Sequence, residues 1–454
     1  MAKKHKTTLF IFRRDLRLKD NTALLKALED SETVIPCFIF DPRQTNKHLY
    51  RSETGFVFLI NSLKELNEQL RTKGSKLHVF SGRPEEVIKQ LPIDAVYFNH
   101  DYTPFSRARD EKILAVCQEQ QVPCIRYHDA LLTTPGSVLK DDQTPYTIYT
   151  PFSRRAQEQP IPEPRSNKHD NFGLLSPKED LSNINLLEEL KPGIDEQSLV
   201  LCGGRTEGLK LLSSLPDDYV SARNNPNKQC SLLSAHHKFG TISIRESYLA
   251  GINKFGPGST FILELYWRDF LTHIAYHFPH VFTGAFKKRY DAISWVDDEE
   301  LFDKWCEGRT GFPIVDAGMR ELNNTGFMHN RVRMIVASFL TKDLHINWRL
   351  GEAYFARRLL DYDPAVNNGN WQWAASIGCD AQPYFRIFNP WLQQKKFDPA
   401  CEYIKRWVPE LKDYSAKAIH GLEKQQPLGC SYPRPVVDHS LAREKAKELF
   451  KMII

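Results

Sequence analysis

Short apolar runs alternate with helical periods over the first part of the chain. Residues 7–14, Thr-Thr-Leu-Phe-Ile-Phe-Arg-Arg, read as a buried strand. A helix pattern follows near 21–29, with Asp20 or Asn21 as N-cap. Val34 to Phe40 is the next apolar run. A longer helix pattern spans 52–73, with Ser52 and Glu53 at its start and Gly74 just past its end. Leu77 to Phe80, Ala95 to Phe98 and Cys124 to Tyr127 are further short runs, with helical segments near 84–91 and 104–121 between them. Strands alternating with helices predict βαβ units, a parallel sheet and right-handed crossovers. Ligands on such sheets sit at the carboxyl ends of the strands. No Gly-x-Gly-x-x-Gly follows the first strand and there is no Walker A loop, so an ordinary dinucleotide site is not expected there.

Residues 131–205 are rich in Pro, Ser, Asp, Asn and Gly and read as a connector, with a short helical piece near 184–190. From 206 to 454 the pattern is helical. The segments are Glu207 to Leu215, Ile244 to Phe255, Ser259 to His277, Glu299 to Gly308, Ile314 to Asn323, His329 to Leu344 and Gly351 to Leu360. The predicted architecture is α/β: a doubly wound parallel-sheet domain over 1–130, the connector, and an all-α domain over 206–454. At 454 residues the chain is too long for one core.

Residues 361–373 fit neither a helix period nor a strand alternation. Asp361 and Asp363 open the stretch, Pro364 and an Asn-Asn-Gly-Asn run fill it, and Trp371 and Trp373 close it. It reads as a loop in special backbone geometry. Indoles carry a large apolar area that water disfavours, so the loop is expected to line a pocket for a polar aromatic ligand. A buried turn with core tryptophans fits the stretch equally. All eight tryptophans fall between Trp267 and Trp407, so whatever needs indoles lies in the C-terminal half.

Totals narrow the class without naming it. No run of about 18 apolar residues occurs, so no membrane span is expected. Arg13, Arg14 and Asp15 interrupt the first apolar run, which argues against a signal peptide. Nine cysteines are spread without a Cys-x-x-Cys pair, as in a cytoplasmic protein with reduced thiols. A net charge of +5 permits a nucleic-acid partner without demanding one.

Several side-chain groupings have a chemical and a plain reading. His273 and His277 share a helix face, with His280 beyond, but Ile274 stands where a metalloprotease has Glu, and no metal site is expected. Glu264 and Trp267 are three apart on one face: a pocket floor, or a surface carboxylate beside an indole. Asn330 and Met334 are four apart, with Arg331 and Arg333 on either side: a polar, polarisable wall, or a core methionine among surface arginines. Ser231 and Ser234 precede a turn at Gly240 and suit a helix cap first and a phosphate second.

Taken together, the segments Phe261-Ile-Leu-Glu-Leu-Tyr-Trp-Arg-Asp-Phe270, Thr310 to Arg320, Gly326 to Met334, Asn367-Asn-Gly-Asn-Trp-Gln-Trp373 and Tyr384 to Asn389 resemble the photolyase and cryptochrome family. Phe12-Arg-Arg-Asp-Leu-Arg-Leu18 and Tyr149-Thr-Pro-Phe152 fit as well, and the likeness runs in order from about residue 7 to about 440. It is nearest to the cyclobutane pyrimidine dimer photolyases. It implies an α/β domain, a connector and a helical domain holding FAD. It also implies light-driven repair of UV-damaged DNA, in which reduced, excited flavin lends an electron to a pyrimidine dimer.

The resemblance assigns roles by position. Tyr219, Ser231, Ser234, Arg268, Asn330, Arg333, Asp361, Asp363 and Asn367 would hold FAD, with Arg333 paired to Asp361. Glu264, Trp267, Asn330, Met334 and Trp373 would meet the lesion, and Arg223, Arg331 and Arg386 the DNA phosphates beside Trp267 and Trp373. Trp371, Trp348 and Trp295 would carry electrons from the surface to the flavin, leaving Trp305, Trp391 and Trp407 as core. Asn367 stands where plant cryptochromes usually have Asp, and Trp373 where DASH-type members usually have Tyr. Cys230 replaces the usual Thr before Ser231, and Phe105-Ser106 replaces the Asn-Glu pair of folate-binding relatives. A second, antenna chromophore is left open among folate, deazaflavin, another pigment and none. The implied protein is a cytoplasmic, monomeric enzyme without metal. The rival functions are a (6-4) photolyase, a cryptochrome-type light receptor, and a flavoprotein that only binds single-stranded nucleic acid.

Overall fold

The structure, a computed structural model, describes residues 3–46 and 48–453. Apolar runs at the N-terminus form five parallel strands: β1 His5–Phe12, β2 Ser31–Phe40, β3 His78–Ser81, β4 Ala95–Asn99 and β5 Cys124–Tyr127, in the order β3-β2-β1-β4-β5. Side chains alternate across β1. Phe10 and Phe12 enter one core with Leu24, Leu28, Ile60 and Leu63, while Leu9 and Ile11 enter another with Val96, Phe98, Ile113 and Cys117. Helices cover both faces, which is why the strands read as continuous apolar runs. Asn21 caps the Thr22–Asp30 helix and Ser52 the Glu53–Arg71 helix, as their sequence positions predict.

β1 starts and ends two residues before the apolar pattern places it. Arg13 and Arg14 therefore fall beyond the strand, where the order of strands reverses between β1 and β4. There Arg13 Nη1 lies 2.5 Å from Asp110 Oδ1, and Arg14 Nη1 lies 3.1 Å from Asp101 Oδ1. Further along, Arg17 and Arg245 face Asp20 and Asp129: Arg17 pairs with Asp129, and Arg245 bonds Asp20 at 2.9 Å and Asp129 at 2.7 Å. Two buried cations against two buried anions satisfy the requirement that interior charge be paired and hydrogen-bonded.

The connector carries more structure than its composition predicts. Besides the short Leu186–Glu189 helix, it contains the Tyr149–Gln157 helix. Pro151 lies in its first turn, where its missing N–H costs nothing. Tyr149, Phe152 and Ala156 are buried one helical turn apart. Residues 171–173 run beside β2, with Val34 N donating to Asn171 O and Gly173 N to Val34 O, each at 2.9 Å.

By internal contacts the chain forms two compact units. The first runs to Ile194 and adds Leu201–Ser214 and Leu233–Pro279. It includes the sheet and the Ser234–Phe239, Ile244–Phe255 and Thr260–His277 helices. The second holds Asp195–Val200, Leu215–Leu232 and the chain from His280 onward, and it is helical. Its single large core gathers Trp305, Trp371 and Trp391 among the buried residues.

The stretch 361–373 is not a loop. It forms the Pro364–Ala374 helix. Asp363 is the N-cap, its carboxylate accepting from Ala365 N at 3.1 Å and Val366 N at 3.3 Å, and Pro364 takes the first helical position. Asn and Gly disfavour a helix by propensity, but tertiary contacts override it here. Asn368 and Gln372, four apart, are buried. Gln372 Nε2 donates to Asn368 Oδ1 at 3.0 Å, and both amides donate to the Val281 carbonyl at 3.0 Å. Short helices at Tyr219–Asn224, Ser234–Phe239 and beyond residue 389 are likewise absent from the sequence pattern, each too short to show a period.

Candidate functional site

In the second unit the first turn of the Asn330–Lys342 helix gathers the expected polar wall. His329 is its N-cap. Its Nδ1 accepts from Arg331 N at 3.2 Å, and its Nε2 lies 3.0 Å from the Ala222 carbonyl, so Nε2 carries the hydrogen. Burial pulls its pKa down to about 4. Asn330 beside it is exposed and Met334 is half-buried.

Arg333 faces the acid that the pattern pairs with it. Its Nη1 and Nη2 donate to Asp361 Oδ1 at 3.1 Å and Oδ2 at 2.9 Å, and its Nε donates to the Met328 carbonyl at 2.7 Å. The Asp361 side chain is 3% exposed and that of Arg333 23%. The fork is held from behind while one edge of the guanidinium stays open. Arg331 is fixed differently: Nη2 donates to Asn224 Oδ1 at 2.5 Å, Nη1 lies 3.7 Å from Met334 Sδ, and the guanidinium sits 4.4 Å from the Phe397 ring centre. It thereby joins the helix bearing Asn330 to the Tyr219–Asn224 helix, which carries Tyr219, buried, and Arg223, half-buried. Ser231 is half-buried and Arg386 is exposed.

On the Pro364–Ala374 helix, Asn367 is buried. Among the described residues its amide makes one long contact, Nδ2 to the Glu352 carbonyl at 3.4 Å. Glu352 itself is a residue that the sequence pattern did not single out. It is 4% exposed, accepts from Asn368 Nδ2 at 3.1 Å, and burial pushes its pKa up to about 7. Its protonated form is favoured by the fold. The stability this contributes is complete below the ordinary carboxyl value and is lost as pH rises to about 7. Glu352→Gln keeps the shape and the hydrogen-bonding capacity but removes the ionisation. We expect the variant to lose up to about 3 kcal/mol of the decline in stability between pH 5 and 8, read from denaturant midpoints at several pH values. An unchanged slope would exclude Glu352 as its source.

Trp371 and Trp348 are 2% and 3% exposed, and Trp295 is half-buried. All three belong to one core. A Cβ on Gly351 would overlap the Trp371 ring, so the Trp348–Arg358 helix lies directly on that indole. Val296 N donates to His345 O at 2.8 Å, and Val296 bridges Ile346, which brings Trp295 alongside the segment leading into Trp348. Trp305 is fully buried and donates Nε1 to the Val336 carbonyl at 3.1 Å. Trp391 is also buried. Trp373 is half-buried near Phe388.

In the first unit, Glu264, Trp267 and Arg268 lie on the Thr260–His277 helix, the first two half-buried on one face. Arg268 Nη1 donates to the Ala130 carbonyl at 2.6 Å and Nη2 to the His237 carbonyl at 3.3 Å. Ser234 is exposed at the start of the Ser234–Phe239 helix. Leu233 supplies no side-chain cap there. His273 is buried, and its Nε2 contacts the Thr133 carbonyl at 3.1 Å. No group of three or more potential metal ligands occurs among the described residues.

The donors of the second unit fit a flavin: an open guanidinium edge backed by a carboxylate and a buried amide with spare hydrogen-bonding capacity.

Comparison with known proteins agrees. Residues 261–452 match the FAD binding domain of DNA photolyase, and residues 8–166 match DNA photolyase. The deoxyribodipyrimidine photo-lyase of Synechococcus is 37% identical, covering 98% of this chain and 96% of that protein. An archaeal photolyase from Sulfolobus tokodaii has a TM-score of 0.91 at 45% identity, over 98% of this chain and 100% of that one. Its structure contains two FAD molecules and implicates a light-harvesting cofactor. A Synechocystis cryptochrome is more distant, with a TM-score of 0.87 at 29% identity over 99% of this chain and 100% of that one. With its sheet topology, its helical FAD-binding segment and full-length identity above a third to a photolyase, this chain belongs to the photolyase and cryptochrome family.

Proposed function

We infer that this chain is a light-driven DNA repair enzyme that splits cyclobutane pyrimidine dimers. The observation that carries this reading is the Arg333–Asp361 fork, set beside an amide and a thioether rather than histidines. When bound, photoexcited reduced FAD supplies an electron to the dimer and receives it back. The remaining work belongs to the residues of the chain. By the family pattern Arg333, Asp361, Asp363, Asn367, Asn330 and Tyr219, with Arg268 and the serines Ser231 and Ser234, would hold and orient the cofactor. Asn367 offers its amide as donor and acceptor. By the same pattern Trp267, Trp373 and Met334 would meet the dimer, the two indoles offering apolar faces to its saturated rings. By the same assignment Glu264 would meet the lesion at a thymine carbonyl, where charge develops.

Flipping a damaged pair out of the stack costs less than flipping an intact one, which favours lesions. Arg223, Arg331 and Arg386 meet the phosphates around it. Three such contacts predict a slope of about −3 for the logarithm of affinity against the logarithm of salt concentration. Affinity for damaged duplex that is indifferent to salt would contradict that placement.

Purified protein should be yellow or blue, release FAD on denaturation, and restore dimer-containing oligonucleotides under near-UV or blue light. Colourless protein that cannot take up FAD would overturn the reading. The free thiols support a cytoplasmic location. The domain roles follow the sequence division: 1–130 as antenna domain, 131–205 as connector, 206–454 as catalytic domain. A second FAD, as in the archaeal relative, joins folate and deazaflavin as a candidate antenna.

A further inference from the structure

Tyr149 belongs to a motif that the proposed chemistry leaves without a task. It opens the Tyr149–Gln157 helix and is buried. Its ring lies on Trp267, with centroids 3.7 Å apart and planes 9° apart. Its hydroxyl donates to the Leu263 carbonyl at 2.6 Å, one turn earlier on the helix that bears Trp267. Phe270 meets both rings edge-on, at 5.8 Å from Tyr149 and 5.7 Å from Trp267. Phe152, one turn along, packs on Phe270 at 5.3 Å and His273 at 5.0 Å, which fixes the helix that carries Tyr149. One face of the Trp267 indole is thus covered, one edge is blocked, and the side chain is still half-exposed.

We propose that Tyr149 is a positioning residue for lesion recognition: it clamps the Trp267 indole in one rotamer, so that the uncovered face is set for the dimer before DNA arrives. This rests on the reading of Trp267 as the dimer-packing residue. The physical reason is preorganisation. An indole free to rotate must be ordered on binding, and that ordering weakens the complex. The hydroxyl bond to Leu263 sets the phenol over the indole rather than beside it, and the stack then sets the indole. Intact duplex keeps its bases stacked and does not reach Trp267, so the clamp acts on discrimination and leaves general DNA affinity alone.

The test is a double-mutant cycle on full-length, FAD-loaded protein, with a dimer-containing oligonucleotide and its undamaged twin. Tyr149→Leu should weaken binding of the damaged oligonucleotide about tenfold, with undamaged affinity and FAD content unchanged. Repair per absorbed photon at saturating DNA should stay within about twofold of wild type. Tyr149→Phe, which keeps the ring, should restore most of the affinity. In a Trp267→Ala background, Tyr149→Leu should have no further effect, because the clamp then has nothing to hold. If Tyr149→Leu does not fold, Tyr149→Met against Tyr149→Phe carries the same comparison. Undiminished damaged-DNA affinity without the ring, or an equal loss with and without Trp267, would overturn the proposal. Wild-type protein that repairs no dimer would instead sink the functional reading beneath it.

Discussion

Trp371→Phe is expected to abolish photoreduction of bound oxidised flavin while leaving repair by chemically reduced enzyme intact. The expectation rests on packing. Trp371 is buried, sits on the Pro364–Ala374 helix four residues after Asn367, and is covered by the Trp348–Arg358 helix at Gly351. From Trp371 through Trp348 to Trp295 exposure rises, the order expected of a series that would pass electrons inward from the half-buried indole. Phenylalanine is much harder to oxidise than tryptophan, and it breaks that series at its inner end. The structural cost should be modest, about 1–3 kcal/mol for a smaller ring among Phe355, Trp305 and Leu340, so FAD should stay bound. The measurement is bleaching of the oxidised flavin band under blue light with an external reductant, followed by repair after reduction with dithionite. Trp305 is the control. It meets Trp371 edge-on at 6.2 Å but is fully buried. Trp305→Phe should leave photoreduction near wild type. Unchanged photoreduction in Trp371→Phe would remove the series from the account.

The parts of this fold that a single sequence discloses are those with long, regular burial. The strands of the sheet are legible because both faces are covered, and Asn21 and Ser52 are legible as caps because they stand where the apolar period begins. The Arg333–Asp361 pair is legible through the family pattern, and its geometry is what burial of two opposite charges demands. The Pro364–Ala374 helix is not legible by period. Its face toward the core is built from amides, Asn368 and Gln372, whose partners are carbonyls at Val281 and Gly284, distant in the chain. The Asp-Pro pair at 363–364 is a cap followed by a first-position proline, a helix start that can also be taken for a turn. Glu352 carries no signal at all in one sequence. It stands on a helix between Gly351 and Ala353 like any surface acid, and only the packing of Asn368 against it marks it as buried. Tyr149 is visible as a motif residue, but its function lies in a stacking partner more than a hundred positions away.

Cyclobutane dimers are expected to be split and (6-4) products to be left untouched. In the (6-4) branch of the family, histidines at or beside the places of Asn330 and Met334 pass a proton to a migrating oxygen, which needs an imidazole able to be protonated at working pH. Asn330 and Met334 cannot do so. His329, the nearest imidazole, is committed as helix cap to Arg331 N and to the Ala222 carbonyl, and burial holds its pKa at about 4, so at neutral pH the ring is uncharged and its one N–H is already given to that carbonyl. Cyclobutane splitting needs no such transfer. It needs the dimer held and charge on a thymine carbonyl stabilised, two tasks that the proposed assignment divides between Trp267 and Glu264 on one helix face. Glu264→Ala should therefore slow splitting on the order of 10²-fold at saturating DNA, as loss of one transition-state hydrogen bond does, with little change in affinity. Trp267→Ala should show the reverse, an affinity loss of about tenfold or more from the missing stack and near-normal splitting once bound. Each lesion, placed in a defined oligonucleotide, would be followed by chromatography under near-UV light with fully reduced enzyme. Turnover of the (6-4) lesion would overturn the assignment, as would an intact cyclobutane dimer. Equal losses of affinity and rate in both variants would show that the two tasks are not divided between these side chains.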